Sequence, residues 1–150
     1  MALPILNTQT FELNIPSTDE KIKYRPFLVK EEKILLQAQE GDGDEVTNAI
    51  LQIVDNCTFG KVQVDKLPSF DIEYIFLNIR SKSVGEKVNL NLAFPGDEKV
   101  KVPTEVDLTK VIVEMDDEHD NVIELTKTVK VIMKYPTVKT FQGLDLTKFT

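Results

Sequence analysis

Cysteine and histidine are nearly missing from this chain: its 150 residues include one of each, Cys57 and His119. A lone cysteine cannot close an internal disulfide, and a tetrahedral zinc site wants more Cys and His than these two supply. The histidine lies far in sequence from the thiol, so no base stands ready to make Cys57 a nucleophile. With Ile53, Val54 and Phe59 around it, Cys57 has the setting of a small buried hydrophobe. Basic charge is also in deficit. Eighteen Lys and Arg against 25 Asp and Glu leave a net charge of −7, the wrong sign for nonspecific binding to nucleic-acid phosphate. No apolar run approaches the roughly 18 residues of a membrane span. The start, MALPILNTQT, has neither the basic n-region nor the apolar core of a signal peptide. The patterns G-x-x-x-x-G-K-[ST], G-x-G-x-x-G and G-x-S-x-G are absent too, which removes the common phosphate cradles and the nucleophile elbow. The expectation is an intracellular soluble protein that takes no cofactor and binds neither nucleic acid nor membrane.

What is present suits a globular protein: 41% of residues are hydrophobic and 29% charged. A chain of this length folds most simply as a single domain over residues 1–150, burying about 70% of its unfolded surface without metal or disulfide staples. Residues 9–27 read as a hairpin. Phe11, Leu13 and Ile15 alternate, PSTDE turns, and Ile22 and Tyr24 alternate back, with Pro16 and Pro26 as terminators. Residues 27–85 read as helical. FLVKEEKILLQAQE puts Leu28, Ile34, Leu35 and Ala38 to one side. DEVTNAILQIVDNC carries an apolar stripe of Val46, Ala49, Ile50, Ile53, Val54 and Cys57, with Asp42 or Asp44 to cap it. After an extended link, KVQVDKL, a third helix starts at Pro68 and Ser69 and stops at Gly85. Being apolar nearly all round from Phe70 to Ile79, it is expected to be the central, most buried element. Residues 86–136 alternate as antiparallel strands, and residues 137–150 form an apolar tail. Strands, helices, then strands predict an α+β fold: a mostly antiparallel sheet from the N-terminal hairpin and the later strands, with a three-helix layer.

One stretch invites a chemical reading. EMDDEHD, residues 114–120, packs five acids beside the only histidine. It lies between VIVEM and NVIEL, two β-branched runs of matching length, so the spacing predicts the exposed loop of a hairpin. The glycine and spacing of a calcium loop are lacking, and His119 has neither a nucleophile nor an orienting partner marked nearby. GDGDE at 41–45 is read as a helix–helix loop with an acidic cap. Lys21, Lys23 and Arg25 alternate with Ile22 and Tyr24 as a solvated strand face. No catalytic, cofactor-binding or metal-binding residue emerges, and the chain is read as not an enzyme.

KIKYRPFLVKEEKILLQA, FDIEYIFLNIRSKSVGE and EVDLTKVIVE together resemble a baseplate hub family of T-even-like bacteriophages over residues 9–135. The resemblance implies a role in hub and tail assembly through contacts with other phage hub and tail proteins, in the host cytoplasm during assembly. The alternatives are a permanent hub subunit of the virion baseplate, or a metal-binding accessory protein. This chain has FPGDEKVKVPTEVDL where some relatives carry cysteines, so no metal role transfers. Family members also run on past residue 150, so a C-terminus shortened relative to the family is expected. In the tail, Phe141, Leu144, Leu146 and Phe149 are too irregularly spaced for a helix yet apolar enough to need cover. Either the tail folds back on the sheet of its own chain, or these residues are the expected partner interface, with another hub protein or with a second copy in a homo-oligomer.

Overall fold

In a computed structural model, the described residues are 8–41, 43–94, 96–116 and 120–141. The first hairpin forms as expected. Strand β1 (Phe11–Asn14) pairs antiparallel with β2 (Lys21–Tyr24), setting Phe11 opposite Tyr24 and Leu13 opposite Ile22. Because strand side chains alternate, these four share a face, while Lys21 and Lys23 project from the other and pair with Glu12. The apolar face docks on three helices: α1 (Val29–Ala38), α2 (Gly43–Cys57) and α3 (Ser69–Val84).

Helical spacing decides which residues meet there. On α2 the buried set is Ala49, Leu51, Ile53, Val54 and Cys57; Leu51 joins the expected stripe, while Val46 and Ile50 of that stripe are only half-buried. On α3 the residues Ile72, Ile75 and Ile79, three and four apart, are almost wholly excluded from solvent. The core is thus shared between α2 and α3, with Ile15, Ile22, Tyr24 and Val62 completing it. The link expected to be extended is instead a turn, in which Lys66 N–H donates to the Gln63 carbonyl at 2.9 Å. Gly85, at φ 134°, takes a backbone conformation costly for any L side chain and turns α3 into the next strand.

Polar clamps fix the hairpin to the helices. At its turn, Ser17 donates to Asp71 of α3 through both its N–H (3.1 Å) and its hydroxyl. At its far end, Arg25 N–H donates to the Cys57 carbonyl at 3.0 Å, and Phe27 N–H to Ser83 Oγ at 2.8 Å. The Arg25 side chain departs from expectation. It is not on a solvated face: its guanidinium, 12% exposed, pairs with Glu31, 1% exposed, at 3.0 Å. Glu31 also accepts from the Leu28 N–H at 2.9 Å, closing an unpaired donor at the start of α1.

Past Gly85 the chain is β. Strand β3 (Lys87–Phe94) pairs with β4 (Asp97–Asp107), a 3-10 turn follows at Leu108–Lys110, and β5 (Val122–Glu124) pairs with β6 (Lys130–Ile132) before a short helix α4 (Val138–Phe141). The α+β class and antiparallel pairing hold. The strands nevertheless stay as three separate two-stranded ladders among the described residues rather than joining into a sheet. The continuation of β2 has no edge to offer, because the N–H groups of Arg25 and Phe27 are already bonded to α2 and α3.

The hairpin expected around the acidic stretch is also replaced. Val111–Met115 forms no strand, and the NVIEL run pairs forward instead, Ile123 opposite Val131. The loops of the two alternatives, 116–120 and 125–129, are both five residues long, so closure entropy does not choose between them; the observed loop is tied by Leu125 and Thr126 N–H groups donating to the Val129 carbonyl.

Candidate interaction surface

Alternation along the β3–β4 hairpin places Val88, Leu90 and Leu92 beside Val106, Thr104 and Val102 on one face. At the base this face is half covered, where the 3-10 turn lies against α3 and Leu108 N–H donates to the Glu86 carbonyl at 2.7 Å. Further out it is bare: Leu90, Leu92, Val100 and Val102 are each between 42% and 49% exposed. The opposite face carries Lys87, Asn89, Asn91, Lys101 and Glu105, with Lys87 and Glu105 paired at 2.7 Å. A two-stranded ribbon with one wet apolar face is marginal alone in water, and its outer half has nothing in this chain to lean on among the described residues.

A second apolar region lies along the following segment. Ile112, Met115, Ile123, Leu125, Ile132, Met133 and Tyr135 are exposed to varying degrees, Ile112 at 69% and Ile132 at 68%. The chain then returns to the helical body. Ser69 N–H donates to the Pro136 carbonyl at 3.1 Å, Tyr135 meets Phe70 edge-on at 5.1 Å, Lys139 pairs with Asp65 at 2.7 Å, and Val138 packs on the core. This return leaves a cleft of about 900 Å³ between the β5–β6 hairpin and the body, with Ile123, Met133 and Tyr135 facing Ser17, Asp65 and Pro68. A smaller cleft of about 270 Å³ separates α2 from the start of α3, closed on one side by Val138.

Of the predicted interface residues, Phe141 ends α4, and Leu144, Leu146 and Phe149 lie outside the described residues. Of the acidic stretch, Glu114, Met115 and Asp116 are exposed, while Asp117, Glu118 and His119 lie outside the described residues. Asp120 accepts from the Val122 N–H at 2.9 Å, a side-chain turn that starts β5. No cluster of three or more His, Cys, Asp or Glu suited to a metal occurs among the described residues. The hairpin face was legible in sequence as alternation, but alternation does not say whether the apolar side is covered.

The charged groups that the fold perturbs serve packing. Burial pushes the Cys57 thiol up to about 11, with the Arg25 charge drawing it partly back. Burial alone would also raise Glu31, but the hydrogen bonds from Arg25 and Leu28 outweigh it and hold the carboxyl below its ordinary value. Asp71 goes the other way, burial raising it more than the two Ser17 hydrogen bonds lower it. All three sit where the hairpin meets the helices, and none of them lines either cleft, although Asp71 holds Ser17 at the rim of the larger one. No helix among the described residues is long and apolar enough to cross a membrane.

No curated protein and no solved structure matches the chain. A family model does, the T4 bacteriophage base plate protein, over residues 7–149. With nearly its whole length matched, this chain belongs to the T4 bacteriophage base plate protein family.

Proposed function

We propose that this baseplate protein works without catalysis in assembly of the baseplate hub, docking other hub and tail proteins through the open face of the β3–β4 hairpin. The observation that carries this reading is the bare stripe of Leu90, Leu92, Val100 and Val102. An apolar patch on a soluble protein commonly marks a partner site, because leaving it wet forfeits about 25 cal/mol for each Å² that a partner would cover. The net charge of −7 favours partners that are proteins over nucleic acid. The tail residues Phe141, Leu144, Leu146 and Phe149 are a second proposed interface in this reading.

The experiment is co-purification of hub proteins with the double variant Leu92→Glu, Val102→Glu, and separately with a chain ended after Phe141. Both keep the helical core and the Val138 contact intact, so melting temperature should hold while co-purification fails. Undiminished recovery of hub proteins by the double variant refutes the hairpin as the docking face. Recovery of peripheral baseplate proteins in place of hub proteins refutes the hub assignment. Presence of the chain in finished particles separates a permanent subunit from an assembly factor that leaves.

A further inference from the structure

The β3–β4 ladder has two outer edges, and they are not equivalent. Leu108 N–H donates to the Glu86 carbonyl, so Glu86 and Leu108 occupy a hydrogen-bonded pair position. Antiparallel ladders alternate, so the same parity continues at Val88 with Val106, Leu90 with Thr104, and Leu92 with Val102. Lys87, Asn89 and Asn91 on β3 therefore turn their N–H and C=O groups outward, as do Glu105 and Pro103 on β4. Pro103 has no N–H, which breaks the donor row of the β4 edge. The β3 edge has no such block. It is exposed from Asn89 to Ala93 and carries no acid in a chain with 25 of them.

A segment suited to that edge lies a few residues downstream. VIVEM, residues 111–115, has the β-branched, alternating composition of a strand, yet Ile112 to Met115 make no backbone hydrogen bond among the described residues. A strong local preference left unsatisfied in the isolated chain is the kind of conflict that a partner resolves. With Glu114 opposite Lys87 in antiparallel register, Ile112 faces Asn89, Val113 faces Val88 and Val111 faces Leu90. The charges then complement each other, and the valines extend the apolar face. A one-residue slip would set Glu114 against Val88 and lose both gains.

The segment cannot reach this position on its own chain. Val111 would have to lie beside Leu90 on the far side of β3, about 16 Å from Leu108 by strand rise and spacing. Three residues span at most about 11 Å. A second copy has no such limit, and each copy offers both the segment and the edge. We propose that two copies of this chain pair reciprocally, residues 111–115 of each adding as a third strand to the outer edge of β3 on the other.

The inference shares the β3–β4 hairpin with the docking function, but it is tested on the purified chain alone, so either can fail without the other. Light scattering of the wild-type chain should give a dimer, twice 17.0 kDa. Asn89→Pro removes an outward N–H from the β3 edge and should halve that mass while leaving the circular dichroism unchanged. Should Asn89→Pro fail to fold, a cross-link carries the test. Val88→Cys and Val113→Cys, a directly facing non-hydrogen-bonded pair in this register, should join by disulfide when the two single variants are mixed and oxidised. Neither variant alone should do so, because Cys57 is buried. A monomeric wild-type chain overturns the proposal. So does a dimer that yields no disulfide between the mixed variants, or one that a folded Asn89→Pro chain retains.

Discussion

Replacing Glu31 by Ala should be among the most damaging single changes to this fold, although Glu is ordinarily a surface residue. The carboxylate is 1% exposed and accepts three hydrogen bonds, two from Arg25 at 3.0 and 3.3 Å and one from the Leu28 N–H at 2.9 Å. Its loss strands the Arg25 guanidinium, 12% exposed, and uncaps α1. Breaking a buried pair by removing one partner costs about 3–5 kcal/mol. Arg25 keeps some access to water, so the lower end, about 3 kcal/mol, is expected. That is a large share of the roughly 5–15 kcal/mol by which domains are stable. Arg25→Ala should cost at least as much at neutral pH, because Glu31 is the more deeply buried partner. The pair should show a coupling in the upper part of the ~0.5–3 kcal/mol range seen for contacting residues.

Urea unfolding of wild type, both single variants and the double variant measures this, provided the m-value stays constant. The pH dependence follows from the signs. In the wild type Glu31 is held below its ordinary value, so its contribution is complete above about pH 4.3, the unfolded value, and fades as pH falls through the lower folded value. Without Arg25, burial is opposed only by the backbone hydrogen bonds of Leu28 and Glu31, so the folded value moves up relative to the wild type and the Arg25→Ala penalty should shrink as pH falls through the ordinary carboxylate range. A coupling below about 0.5 kcal/mol, or an Arg25→Ala penalty independent of pH, would refute the reasoning.

Three further outcomes are expected. Ile75→Ala removes a side chain with no solvent exposure from the centre of α3 and should cost about 2–5 kcal/mol in the same urea assay; a loss under 1 would mean the helix is peripheral. Cys57, fully buried with its thiol pushed up to about 11, should resist thiol reagents at neutral pH and react only at the rate of unfolding, so rapid labelling of the native chain would contradict the packing. Asp116→Asn, at an exposed position, should leave stability within about 0.5 kcal/mol, and calorimetry of the wild-type chain should detect no micromolar calcium or zinc binding.

Periodicity by itself determined a good part of this protein. The alternation of Phe11, Leu13, Ile22 and Tyr24, and the stripe of Ala49, Ile53, Val54 and Cys57, correspond to real elements because each repeat matches the geometry of one local structure. Gly85 as a stop was legible for the same reason: the conformation it adopts is one that few other residues tolerate. Long-range choices were not legible. Arg25 looked like one more solvated base after Lys21 and Lys23, and only the placement of Glu31, on a helix packed against the strand end, turned it inward. VIVEM and NVIEL had matching composition, yet NVIEL pairs with Lys130–Ile132 across a loop of the same length, so neither local pattern nor loop length determined the partner. Alternation identified the apolar side of β3 and β4, but whether that side is covered depends on what the rest of the chain can reach. Here the helical core is already closed by the first hairpin, and the outer half of the second is left open.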